Sequence, residues 1–176
     1  QTVEFEGGQK QIDKDIFPEA YQALHKRFDP INGGFGKAPK FPSPHILLFL
    51  LRYYQQTQSP QALYMVEKTL HNMRKGGIFD HIGFGFHRYS TDKSWVLPHF
   101  EKMLYDQGLL LLAYCEAFQA TKKQEYAQTV QEIASYVLRE LSLASGGFFC
   151  AEDADSEGEE GKYYVWDSRE IDKILE

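Results

Sequence analysis

The sequence predicts an all-α fold, a partial (α/α)6 toroid of about three helical hairpins with short β-hairpins in its long loops. Three observations predict it. The chain repeats: Gly33-Gly34-Phe35, Gly76-Gly77-Ile78 and Gly146-Gly147-Phe148 each close an amphipathic helix and open a long, polar, aromatic-rich loop. Two helix types alternate, one amphipathic and one apolar nearly all round. Connection lengths alternate in step, long from amphipathic to apolar and short from apolar to amphipathic, and a short link sets its two helices antiparallel. Outer helix, long loop, inner helix and short turn, repeated, give concentric rings with every long loop at one end. The alternative, a plain four-helix bundle, requires similar burial for every helix.

Each element has a local reason. Over Pro18 to Phe28, Tyr21, Leu24 and Phe28 share a face, with Pro18 and Glu19 suited to a first turn. Pro44 to Tyr54, entered through Ser43, is apolar on all sides and needs protein around it. Behind a Ser59 N-cap, Pro60 to Lys75 carries the stripe Leu63, Val66, Leu70 and Met73. His99 to Ala120 is the second apolar helix, and Gln124 to Leu143 the third amphipathic one. A sixth helix starts at Asp167, where Asp167 and Glu170 form a capping-box pattern. The glycine pairs are expected to supply left-handed C-caps, and strands are expected at Phe84 to Tyr89 and Lys162 to Trp166.

Composition narrows the function classes. The net charge of −6 is matched by Glu152, Asp153, Asp155, Glu157, Glu159 and Glu160, so the remainder is neutral. No basic stripe points to nucleic acid, and no polybasic helix points to a membrane surface. The longest apolar run, Ile46 to Leu51, is far short of a membrane span. Cys115 and Cys150 form neither a disulfide framework nor a CxxC motif, which suits a reducing, cytoplasmic compartment. Aromatic residues make up 15%, enough for an aromatic core or for a cleft that takes a ring-shaped ligand. The chain opens on Gln1 and stops inside a young helix, so residues 1–176 are expected to be one fragment of a toroid about twice as long. A greasy flank where a fourth hairpin docks then favours self-association.

Three runs carry a resemblance: Gly33 through Pro42 (Gly-Gly-Phe-Gly-Lys-Ala-Pro-Lys-Phe-Pro), Trp95 through Asp106 with its Pro98-His99-Phe100-Glu101-Lys102-Met103-Leu104-Tyr105-Asp106, and Glu152-Asp153-Ala154-Asp155-Ser156. In that order they resemble the family of thioredoxin-domain-containing, spermatogenesis-associated proteins and their bacterial YyaL-type relatives. The resemblance implies a fold similar to N-acylglucosamine 2-epimerases and six-hairpin glycosidases. It also implies a thioredoxin-like domain in full-length members, which is expected to lie outside residues 1–176.

The loop from Gly76 to Asp106 is the richest in chemistry. Proton abstraction beside a sugar carbonyl needs a base with a pKa near neutrality and an acid opposite, and histidine serves both roles. His99, Glu101, His87 and Asp153 are the catalytic candidates. Phe35, Tyr89 and Trp95 are expected to hold the sugar. Lys37, Asp80, His81, Arg88, Tyr105, Asp106, Glu152 and Asp155 are further substrate contacts, Arg88 (or Lys102) suiting a carboxylate or enediolate-like oxygen. Carboxylates paired across the loops would instead serve glycoside hydrolysis. Neither a zinc nor a cofactor motif is present, and Tyr164 stands where a calcium loop needs its bidentate Glu. Lys37 and Lys40 are expected to face the acidic loop. The expected function is a carbohydrate-active domain of epimerase or glycosidase type; the alternative is a non-catalytic scaffold partnered by a thioredoxin-like domain.

Overall fold

Proline, serine and tertiary contacts decide where the helices begin and end. The computed structural model describes residues 15–175, so residues 1–14 and 176 of the expected single unit lie outside the described residues. Helix α1 (Ile16–Arg27) ends where Phe28 turns extended. Helix α2 (Pro44–Thr57) starts on a proline and stops at Gln58, whose backbone is left-handed. In α3 (Pro60–Lys75) the Ser59 hydroxyl accepts from the Ala62 N–H at 3.4 Å, the expected N-cap. Helix α4 spans Leu104–Thr121 and α5 Gln124–Tyr136; α5 runs on into one π-type turn, Val137–Leu141. Helix α6 (Ser168–Leu175) opens with Asp167 N–H donating to the Glu170 carboxylate at 3.2 Å.

Packing sorts these helices as their apolar patterns require. Helices α2 and α4 lie side by side, and each packs on the amphipathic partner that follows it, α3 and α5 respectively. Leu47, Leu50, Leu70, Met73, Leu110 and Tyr114 are fully buried between them. On the far side of α4, Leu109 and Leu112 remain 37% and 50% exposed. The apolar helix thus has protein on one flank and an open face on the other. This is the all-α, partial (α/α)6 toroid that the alternation predicts.

The long loops gather at one end because each is paired to the next. Lys40 of the first loop bridges Ser90 of the second. Within the second loop, β1 (Tyr89–Ser90) pairs antiparallel with β2 (Pro98–His99). Its last segment, β3 (Lys102–Met103), pairs with β4 (Ala151–Glu152) of the third loop. The third loop then folds back through β5 (Asp155–Ser156) and β6 (Glu159–Glu160).

A buried lysine marks both junctions. Lys40 is fully buried, and its ammonium donates to Asp29 and to the Gly33 carbonyl, both at 2.8 Å. Lys102, 1% exposed, donates in the same way to Asp80 at 2.8 Å and to the Phe84 carbonyl at 2.9 Å. Each cation also faces aromatic rings of the next repeat: Lys40 lies 5.3 Å from the Trp95 ring, and Lys102 lies 4.5 and 5.0 Å from Tyr136 and Tyr164. Each acceptor aspartate also bonds the N–H groups two and three residues on, Ile31 and Asn32 for Asp29, Ile82 and Gly83 for Asp80. This second internal repeat couples one hairpin to the next.

Several local expectations are corrected. Gly76 and Gly77 are not left-handed caps; Gly76 has φ −77. They are small because the second loop crosses them: a Cβ on Gly76 would lie 2.3 Å from the Trp95 carbonyl oxygen. Gly33 and Gly34 do take positive φ, yet they sit in a turn beyond the helix end. Helix α4 starts at Leu104 rather than His99, because Pro98–His99 and Lys102–Met103 are both held in strand pairs. Phe84 and Gly85 have positive φ, which stops a strand from running through them to Tyr89. Lys162 to Trp166 forms turns and irregular chain instead of a strand. Lys40 is not free to face the acidic loop, since Asp29 holds it inside.

Candidate functional site

The pairing of Tyr89 with His99 in β1 and β2 places a group of titratable side chains at the shared rim. The Tyr89 and His99 rings stack at 5.0 Å, and Phe41 of the first loop packs on Tyr89 at 4.9 Å. His99 Nδ1 donates to Glu160 Oε1 at 2.6 Å, and its Nε2 lies 3.6 Å from Glu101 Oε2. A carboxylate on Nδ1 fixes the ring's orientation and leaves Nε2 as its second functional nitrogen. Arg88 donates to Glu101 at 2.8 Å, while its own Nε is buried without a hydrogen-bond partner. Asp106, in the first turn of α4, is only 8% exposed. Burial pushes its carboxyl up to about 6, with Arg88 opposing the rise and Glu101 adding to it. Tyr105 completes the group as an exposed side chain at the start of α4. This set holds a carboxyl tuned toward neutrality and an oriented imidazole, the two kinds of group that proton transfer at a carbon needs.

Other candidates are placed differently. Trp95 is fully buried, and its indole N–H donates to the Asn32 carbonyl at 2.8 Å; Phe35 is 8% exposed within the core. Neither presents a face to a ligand, so the expectation that they hold a sugar is corrected. His87 is 2% exposed, with Nδ1 donating to the Phe100 carbonyl at 2.9 Å. Burial, helped by the Lys102 charge, pushes its imidazole down to about 4, and it acts as a packing group. Asp80 is occupied by Lys102. His81 lies at the surface against Arg74 and the Gly76 carbonyl.

Glu152 accepts from the hydroxyls of Tyr136 (2.7 Å) and Tyr164 (3.1 Å), joining the third loop to α5. Asp153 and Asp155 are exposed; Asp153 caps the Asp155 N–H, and neither contacts His99. Lys37 is exposed and contacts no member of the cluster. A cleft of about 530 Å³ opens between the second and third loops, lined by Asp80, Ile82, Gly83, Ser156, Glu157, Lys162, Tyr163, Tyr164 and Trp166; neither His99, Glu101 nor Asp106 lines it. Among the described residues, no group of three or more His, Cys, Asp or Glu side chains is arranged to hold a metal ion. No helix there is long and apolar enough to cross a membrane.

Sequence reasoning missed Glu160 as the partner of His99. It lies in a run of acids that reads as a solvated face, and only the β5–β6 turn brings it back to the second loop.

No family model matches the chain. Spermatogenesis-associated protein 20 of Homo sapiens is 48% identical over 165 residues, covering 88% of this chain and 21% of that protein. An uncharacterised protein of Caenorhabditis elegans is 38% identical over 175 residues, covering 92% of this chain and 24% of its own length. The chain therefore spans about a fifth to a quarter of the length of these curated relatives. Among solved structures, the cellobiose 2-epimerase of Spirochaeta thermophila superposes with a TM-score of 0.71 at 18% identity, over 79% of this chain and 37% of that one. A family 76 α-mannanase of Bacteroides thetaiotaomicron gives 0.62 at 15%, over 73% and 38%. An unsaturated glucuronyl hydrolase specific for heparin gives 0.62 at 13%, over 77% and 41%. At these identities the likeness to solved structures is one of fold.

Proposed function

The chain belongs to the spermatogenesis-associated protein 20 family, and from that premise we propose that it is part of a carbohydrate-active toroid performing acid–base chemistry on a sugar. The observation that carries the reading is the rim cluster, in which His99 is oriented by Glu160 and Glu101 while Asp106 holds its proton to about pH 6. A sugar ring stacked on the exposed part of Tyr89 would bring a C–H or a glycosidic oxygen to His99 and Asp106. His99 would take or give the proton from one side and Asp106 from the other. Arg88 would orient sugar oxygens through its guanidinium edge. Solved toroids of the same fold that bear the names of sugar epimerases and glycoside hydrolases support the substrate class. The reading is tested with the purified chain: cellobiose or mannose should raise its melting temperature, and His99→Ala should remove that rise while keeping the unliganded melting temperature. An unchanged rise in His99→Ala would refute the role of His99, and no rise with any sugar would refute the reading.

The remaining exposed apolar surface supports a second element of the proposal. Ile174 and Leu175 of α6 are 65% and 80% exposed, and Leu138 is 65% exposed. Such a surface suits docking of further hairpins, of a thioredoxin-like domain, or of a second copy of the chain. Analytical ultracentrifugation of the chain over a concentration series separates self-association from the other two.

A further inference from the structure

We propose that the rim site selects an uncharged sugar and excludes phosphorylated and carboxylated ones. The inference rests on the sugar-active reading above and narrows it to one substrate class. Acidic groups crowd His99. Two carboxylates flank the imidazole, Glu160 at 2.6 Å and Glu101 at 3.6 Å. Asp106 adds a third acid, buried in the first turn of α4.

The nearby cations are each paired with an acid. Arg88 pairs with Glu101 at 2.8 Å, so its charge offsets one of the three acids and leaves two, while the rest of its guanidinium stays free to donate to sugar hydroxyls. Lys102 is buried and turned inward onto Asp80. Lys162, on the third loop, is paired with Glu157. The N-terminus of α4, which would otherwise favour an anion, carries Asp106 in its first turn. Lys37 is exposed, and no contact joins it to His99, Glu101 or Asp106. A phosphate or carboxylate on the ligand would thus enter a field of unbalanced negative charge. A neutral hydroxyl-bearing ring meets carboxylate acceptors that suit its O–H groups. Like charge placed against an anion is a means of exclusion as well as of preference.

The test compares a matched set by ligand-observed NMR titration on the purified chain: glucose and cellobiose as neutral probes, glucose 6-phosphate and glucuronate as charged ones. The expected result is binding of the neutral probes at least about tenfold tighter than of either anion, as like charges near a protein surface would impose. That ratio should shrink in Glu160→Gln, and it should shrink with rising salt as screening weakens the field. Anionic probes that bind as tightly as the neutral ones, or more tightly, would overturn the selectivity and leave the sugar-active reading in place. A preference that neither Glu160→Gln nor salt alters would overturn its electrostatic origin. Binding of none of the four would defeat the sugar-active reading, and this inference with it.

Discussion

Replacing Lys102 with methionine removes the buried cation that ties the second loop to the third. Its ammonium donates to Asp80 at 2.8 Å and to the Phe84 carbonyl at 2.9 Å, and it faces the Tyr136 and Tyr164 rings. Methionine fills a similar volume but leaves the Asp80 carboxylate, 10% exposed, without its counter-charge. Breaking one partner of a buried pair costs about 3–5 kcal/mol. Asp80 keeps its bonds from Ile82 and Gly83 N–H, which places the loss near the lower end, about 3 kcal/mol. For a chain of this length that is a fall of about 6–12 °C in melting temperature. Burial raises the Asp80 carboxyl, but Lys102 and the two N–H bonds outweigh it and hold the group below its ordinary value. The pair's contribution is therefore full above the unfolded carboxyl range and is lost as pH falls through the depressed folded value. Urea unfolding at neutral and acid pH reads both effects: the Lys102→Met deficit should be large at pH 7 and should shrink toward pH 2. The double variant Lys102→Met, Asp80→Asn keeps the turn and removes the orphaned charge, so it should recover most of the loss. A single variant within about 0.5 kcal/mol of the parent, or a double variant no better than the single, would refute the reasoning.

Two further outcomes are expected. The Asp106 carboxyl retains its proton to about pH 6 in the folded chain, so stability should decline as pH rises from the unfolded carboxyl range through about 6. Asp106→Asn should lack that decline and be the more stable form at pH 7, measured by thermal denaturation across pH 4 to 8. Trp95→Ala should lower stability by about 3–5 kcal/mol, because the side chain is core. Trp95→Phe, which loses the bond to the Asn32 carbonyl, should retain the parent's affinity for a neutral sugar. A lowered affinity would return Trp95 to the binding site.

The helical framework was legible because apolar period and turn chemistry are local signals. Leu63, Val66, Leu70 and Met73 mark one face of α3 whatever the rest of the chain does, and Ser59 caps it as expected. What escaped the sequence depends on partners distant along the chain. His99 to Lys102 has helical promise, yet pairing with Tyr89 and Glu152 keeps it extended. Lys40 and Lys102 read as surface cations because lysine is seldom buried, and only folding brings Asp29 and Asp80 to them. Trp95 and Phe35 look like ligand platforms in the sequence because an aromatic residue in a polar loop carries no sign of its burial, yet both are core. The Gly76-Gly77 pair signalled a constraint correctly, but the constraint is close approach of Trp95 and Val96 rather than backbone handedness. Within the rim site, His99, Glu101, Arg88, Tyr89, Tyr105 and Asp106 were visible as a cluster of polar and aromatic groups. Glu160 was hidden in an acidic run.

Disulfide trapping across the loop junction tests the gathering of the long loops at one rim most directly. Met103 and Ala151 face each other in the β3–β4 pair, next to the Leu104 N–H bond to the Cys150 carbonyl. Such a directly opposed antiparallel pair lies within the Cα spacing a disulfide needs. With Cys115 and Cys150 replaced by serine, Met103→Cys with Ala151→Cys should oxidise rapidly and nearly completely in the folded chain, and unfolding in urea should abolish this. Failure of the folded double-cysteine chain to cross-link, with its helical signal intact, would contradict the convergence of loops on which the site around His99 depends.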